Sequence, residues 1–108
     1  MYSVYNNEIV IVRGDTATFD IALKEEIDGD LEDYTPAEGD SLVFKVKKQY
    51  NDAEPIITKT GTTISLSHDD TKDLTPGEYV YDIEFTSEDG TVIDHVVTVS
   101  SFVVQEAL

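Results

Sequence analysis

The sequence predicts an all-β fold, an antiparallel β-sandwich of about seven or eight short strands with one helical turn before the sixth. Three observations predict it. Apolar and polar residues alternate with a period of two in segments along the chain, the repeat of a half-buried strand. Gly, Pro, Asp and Asn clusters separate those segments. No apolar pattern of helical period reaches a useful length.

Three strands are defined by alternation. In TATFDIAL (16–23), Ala17, Phe19, Ile21 and Leu23 share one face, opposite Thr16, Thr18 and Asp20. In SLVFKVKK (41–48), Leu42, Phe44 and Val46 oppose Lys45 and Lys47. In EYVYDIEF (78–85), Tyr79, Tyr81, Ile83 and Phe85 form a row opposite Asp82 and Glu84. Shorter candidates are EIVIV (8–12), PIITKT (55–60), TTISLS (62–67) and TVIDHVVTV (91–99), which SFVV (101–104) continues. Pro55 suits the first residue or an edge of its strand, where a missing N–H costs least.

The breaks have their own mechanics. RGD (13–15) holds a glycine suited to positive φ between the first two strands, and SEDG (87–90) reads as a hairpin turn with Gly90 at the left-handed position. Both are expected to join antiparallel neighbours. KEEIDGDLEDYTPAEGD (24–40) reads as the longest irregular stretch, dense in carboxylates and therefore solvated or bound to something basic.

Between 67 and 79 the chain reads as a corner. Ser67 is placed to cap a single helical turn, with Asp70 three residues on completing a capping box. Leu74 is expected to plug the end of the sandwich, and Pro76 with Gly77 to end the turn and open the next strand. Tyr79 stands where a tyrosine corner would, its hydroxyl returning to backbone upstream. In immunoglobulin domains a cysteine follows two residues later; here Tyr81 takes that place.

At 108 residues the chain suits one domain, 1–108 with a core over about 9–104, and its 40% hydrophobic share supports a packed interior. The absence of cysteine removes disulfides, zinc–thiolate sites and thiol nucleophiles together. No basic segment followed by an apolar run opens the chain, and no run of about 18 apolar residues occurs, so a product of the cytoplasm without membrane contact is expected. Against 7 Lys and Arg stand 23 Asp and Glu, for a net charge of -16. Such a field repels phosphate backbones and excludes ordinary nucleic-acid binding. It leaves solubility, a basic partner surface, a divalent cation, or mimicry of nucleic acid.

Reactive chemistry is sparse. Ser67, His68 and Asp69 resemble a triad in print, but neighbours on a turn cannot line up nucleophile, base and orienting carboxylate. His95, beside Asp94, reads as a strand residue at a rim or interface. Asp28, Asp30, Glu32 and Asp33 in DGDLEDY form a candidate calcium loop, although Gly29 falls too early and Glu32 breaks the EF-hand spacing. A solvated loop explains them better. Asp82 and Glu84 have the spacing of a glycosidase pair without any sign of a cleft. The RGD tripeptide reads as a turn. No catalytic residue, metal or cofactor is expected.

Taken in order, IVRGDTATFDIAL (11–23), GDSLVFKVKKQYNDAEPIITKT (39–60), ISLSHDDTKDLTPGEYVYDIEFTSEDGTV (64–92) and FVV (102–104) resemble the immunoglobulin-like N-terminal domain of baseplate upper proteins from tailed phages of Gram-positive bacteria. The corner SHDDTKDLTPGEYVYDI carries the resemblance furthest. It implies a virion part held to other virion proteins, or to further copies of itself, by protein contacts and lacking catalytic residues. Such proteins usually continue into receptor-binding regions; this chain stops at Leu108, so an adaptor or accessory role in tail or baseplate is expected. The terminal segments MYSVY (1–5) and SSFVVQEAL (100–108) are the expected contact points, with Tyr2, Tyr5, Phe102 and Val104 as candidate interface residues. Two other readings stay open: an acidic inhibitor occupying the nucleic-acid site of a basic host protein, and a carbohydrate-binding module relying on the six tyrosines in the absence of Trp.

Overall fold

The structure, a computed structural model, describes the backbone of residues 2–5, 8–21, 23–34 and 36–108, and the side chains of 8–21, 23, 28–30, 32, 34 and 36–108. Among these residues lie ten strands and one helical turn: β1 (Tyr2–Tyr5), β2 (Glu8–Val12), β3 (Ala17–Asp20), β4 (Lys24–Ile27), β5 (Asp30–Asp33), β6 (Ser41–Lys47), β7 (Ile57–Thr60), β8 (Thr63–Leu66), α1 (His68–Thr71), β9 (Gly77–Thr86) and β10 (Ile93–Gln105). The architecture is an all-β, sandwich-like fold. A six-stranded sheet of order β1-β2-β10-β9-β6-β7 faces the two-stranded sheet β3-β8, and β4-β5 pair only with each other.

The core lies where the alternation puts it. Leu42, Phe44 and Val46 of β6 and Tyr79, Tyr81 and Ile83 of β9 are buried, as are Ala17 and Leu66, a directly opposed pair on β3 and β8, and Ile64. The antiparallel register from Ser41↔Thr86 to Lys47↔Val80 aligns the two central apolar rows. Aromatic rings lock them together: Phe44 lies 5.4 Å from Tyr81 and 6.4 Å from Phe102, and Phe19 of the small sheet meets Phe44 edge-on at 5.6 Å. Such tilted contacts between rings are favourable beyond the area they bury.

The sandwich is not purely antiparallel. β10 runs antiparallel to β9 but parallel to β2, with Ile9 opposite Phe102 and Ile11 opposite Val104. All four of these side chains are buried. Alternation specifies which face of a strand is buried and is silent on the direction of its neighbour. The turn at residues 13–15 is likewise no hairpin, because it carries the chain from the large sheet at β2 to the small one at β3. Gly14 does take positive φ there, at 88°.

SFVV does continue the strand that precedes it: Ile93–Gln105 form one strand, β10, whose irregularities fall at register shifts between His95 and Val97 and between Val97 and Ser100. One further expectation gives way. The stretch 24–40 is not wholly irregular: β4 and β5 form a hairpin closed by a two-residue loop. Asp28 and Gly29 take φ of 52° and 86°, the left-handed pair that a type I′ turn demands and that an Asp-Gly sequence supplies. With β1, this hairpin raises the strand count above that expected and makes the strand after α1 the ninth. Pro55 precedes β7, the edge strand of the large sheet.

Because Phe44 touches both sheets and is 0% exposed, Phe44→Ala is expected to lose about 3–5 kcal/mol of unfolding free energy. Urea denaturation followed by circular dichroism measures it.

Candidate interaction surface

The corner before β9 is built as a closed set of hydrogen bonds. Ser67 Oγ accepts from the Asp70 N–H at 3.2 Å and the Asp70 carboxylate accepts from the Ser67 N–H at 2.8 Å. These two bonds form the capping box of α1. Burial alone would raise the Asp70 pKa, but the Ser67 N–H, the Lys59 ammonium at 2.9 Å and the Ser67 hydroxyl outweigh it and hold the carboxyl below its usual value. The wholly buried Thr71 donates to the Asp15 carbonyl at 2.9 Å, and His68 Nδ1 lies 2.6 Å from the Gly14 carbonyl. The helical turn thus clamps the turn at 13–15.

Leu74 packs half-buried against the core. Gly77 opens β9 at φ 150°, with Lys48 Nζ 3.5 Å from where a Cβ would stand. The Tyr79 hydroxyl donates to the Thr75 carbonyl at 2.7 Å, closing a tyrosine corner, and Lys48 lies 4.5 Å over the Tyr79 ring. Burial pushes the Tyr81 hydroxyl up to about 12. Ser67, His68 and Asp69 are therefore occupied by capping and clamping: Ser67 Oγ accepts, His68 faces Gly14, and Asp69 pairs with Lys72 at 3.1 Å. Arg13 of the RGD segment is tied to Glu106 at 2.6 Å.

At the opposite end of the large sheet, Asp40 is the joint, a role that sequence reading missed. Its carboxylate accepts from the Tyr34 hydroxyl at 2.7 Å, the Ala37 N–H at 2.8 Å and the Glu88 N–H at 2.9 Å. The Tyr34 hydroxyl, then the Ala37 N–H, hold its pKa below the ordinary value. In the neighbouring turn the Asp89 carboxyl is drawn down to about 2 by the Thr91 N–H, the Thr91 hydroxyl and the Ser87 hydroxyl. The only sequence signal for Asp40 is the Ala-Glu-Gly-Asp run, whose carboxylate closes back on the Ala37 N–H.

The candidate interface residues divide. Phe102 and Val104 are 0% and 2% exposed, so they belong to the core and not to a contact surface; the β2–β10 pairing draws this strand end inward. The side chains of Tyr2 and Tyr5 lie outside the described residues, and their backbone forms β1 along the outer side of β2. Exposed apolar side chains cluster elsewhere: Val92, Ile93, Val96 and Val99 lie in and just before β10, and Tyr50 lies after β6. Val99 and Tyr50 line a shallow groove of about 220 Å³ on the outer face of the large sheet, together with Lys45, Lys47, Val80, Tyr81, Asp82, Glu84 and His95. His95 Nε2 lies 3.2 Å from Glu84 and 3.6 Å from Asp82, which places it in a charge cluster on this face. Beside the groove, β10 pairs with β2 only at Phe102–Gln105. From Ile93 to Ser101 its second edge has no strand against it among the described residues.

The acidic hairpin leaves Asp28, Asp30 and Glu32 exposed, while the side chain of Asp33 lies outside the described residues. Among the described residues, no three His, Asp or Glu side chains gather as a metal ion would require. Nor, among them, is any helix long and apolar enough to cross a membrane. No family model and no curated protein matches the chain.

Two outcomes follow. Ser67→Ala and Tyr79→Phe each remove one partner of a corner bond and are expected to cost about 1 kcal/mol in urea unfolding. Asp40, Asp70 and Asp89 are depressed in the folded state. Their stabilisation is full above the unfolded carboxyl pKa of about 4 and is lost as pH falls through the folded values, toward about 2 for Asp89. Carboxyl NMR titration should show all three with midpoints below about 3.8.

Proposed function

We propose that the chain is a non-catalytic structural component of a phage or prophage virion. On this reading it is a tail- or baseplate-associated adaptor or accessory protein, made in the host cytoplasm and carried in the particle. It works through protein–protein contacts, and its sandwich is of the immunoglobulin-like kind.

The observation that carries the reading is the outer face of the large sheet. There Tyr50 and Val99 stand 75% and 60% exposed beside an open stretch of the β10 edge. Exposed apolar side chains beside a strand edge left open among the described residues are what bind another protein chain, by face contact and by strand addition. Further support comes from the corner, whose capping box and Tyr79 bond employ Ser67, Asp70 and Tyr79 in rigidifying the domain. That order of motifs is the one that resembles the baseplate domains.

A second reading, an acidic inhibitor of a basic host protein, draws on the hairpin 24–33, with six carboxylates against one lysine in ten residues. It would bind its target in a strongly salt-sensitive way.

Mass spectrometry of gradient-purified particles separates the two. The chain is expected in the particle in stoichiometric amount. Its absence there, with abundant chain in the infected cytoplasm, would contradict the virion reading and favour the inhibitor.

A further inference from the structure

The distribution of cations is uneven in a way that points to a specific partner. Of the seven Lys and Arg, Arg13, Lys59 and Lys72 are paired with Glu106, Asp70 and Asp69. Lys48 sits over the Tyr79 ring, and the side chain of Lys24 lies outside the described residues. Lys45 and Lys47 remain, both on the outer-face groove and in no ion pair among the described residues, with Asp82 directly opposite Lys45 in register. They share that groove with exposed Tyr50 and Val99, while the carboxylates across it, Asp82 and Glu84, are turned to His95. Two lysines against two carboxylates leave the groove balanced, so on a molecule of net charge -16 a negatively charged partner meets less repulsion there than over the acidic remainder of the surface.

The same chain carries such a partner. The β4–β5 hairpin belongs to neither layer of the sandwich, and an isolated two-stranded hairpin is marginal in water. Its sequence sets six carboxylates against one lysine in ten residues, a density of like charge that weakens it further. A surface that offers lysines against it would relieve that repulsion. Within one molecule the two features stand apart. The hairpin is rooted where Tyr34 meets Phe85 at 5.9 Å and Asp40, near the start of β6. Lys47 is at the far end of that strand, about 20 Å along it.

We propose that the outer-face groove around Lys45 and Lys47 receives the acidic β4–β5 hairpin of a second copy of this chain. The contact joins two different patches, so it is heterologous and propagates head to tail, closing into a ring or extending as a filament. The proposal rests on the assembly reading and gives it a geometry, since a ring is the form a copy-to-copy contact takes around an axial structure.

Ionic strength provides the test. Repulsion between two bodies of charge -16 acts over tens of ångströms, whereas the lysine–carboxylate contacts act at a few. The Debye length is about 30 Å at 0.01 M salt, 8 Å at 0.15 M and 3 Å at 1 M. Self-association is therefore expected to peak near 0.15 M and to fall on either side, as read by analytical ultracentrifugation. Lys45→Glu with Lys47→Glu, and separately Asp30→Lys with Glu32→Lys, are each expected to weaken it on the order of tenfold. Mixing the two variants restores association, because each then offers the charge the other lacks. Circular dichroism confirms that both variants are folded.

A wild-type chain that stays monomeric at every salt concentration overturns the proposal, as does association that survives both reversals. A different virion protein that binds the wild-type chain, but not the lysine variant, while the chain itself stays monomeric also overturns the second copy as occupant. In each of these cases the chain's presence in purified particles still decides the assembly reading on its own.

Discussion

Phe44, Tyr81 and Phe102 meet in the middle of the molecule, one from each of three adjacent strands, and the rest of the structure depends on that contact. Among the described residues the opposing sheet has two strands of four residues, too little to close a core by itself. Three large rings on β6, β9 and β10 supply the missing volume, and Phe19 reaches across to them from the small sheet. Once these rings are buried, the registers of β6, β9 and β10 are set, because a slip of one residue would turn every ring to solvent. The parallel entry of β2 follows, since it places Ile9 and Ile11 beside Phe102 and Val104.

Each end of this core is finished by a carboxylate in the role of acceptor. At one end Asp70 closes the cap of α1, and α1 in turn holds the 13–15 turn through Thr71 and His68. At the other, Asp40 gathers Tyr34, Ala37 and Glu88. A protein with this surplus of acid uses part of it in structure, where backbone N–H groups and hydroxyls compensate the charge. Six further carboxylates fall in the β4–β5 hairpin, and Lys45 and Lys47 lie on the outer face. The groups that hold the corner and the Asp40 joint are distinct from these, so this surface can be changed without opening the core.

The interior of the fold was legible in the sequence because alternation reports burial directly. Leu42, Phe44 and Val46, and Tyr79, Tyr81 and Ile83, are core residues for the reason their spacing announces. The corner was legible too, since Ser67, Asp70 and Tyr79 act through bonds to backbone only a few residues away. Two kinds of feature were hidden. The parallel β2–β10 pairing and the burial of Phe102 and Val104 depend on which segments meet, information that no local window contains. The β4–β5 hairpin was concealed by its charge: KEEI and DLED lack an alternating apolar row, and only the Asp28-Gly29 pair marked the turn. The surface groove was the least visible, for Lys45, Tyr50, Asp82, His95 and Val99 come from separate segments and are joined only by the sheet.

A rigid core carries two charged surfaces, and the proposed assembly has them meet between copies. Hydrogen exchange across a concentration series at about 0.15 M salt tests it most directly. Slow exchange is expected in 79–83 and 102–104 at every concentration, with fast exchange in 24–33 when dilute. Protection should then appear in 24–33 and in 48–50 together as concentration rises. Protection of 24–33 at high dilution equal to that of the core, or no change in either segment on concentration, would contradict it.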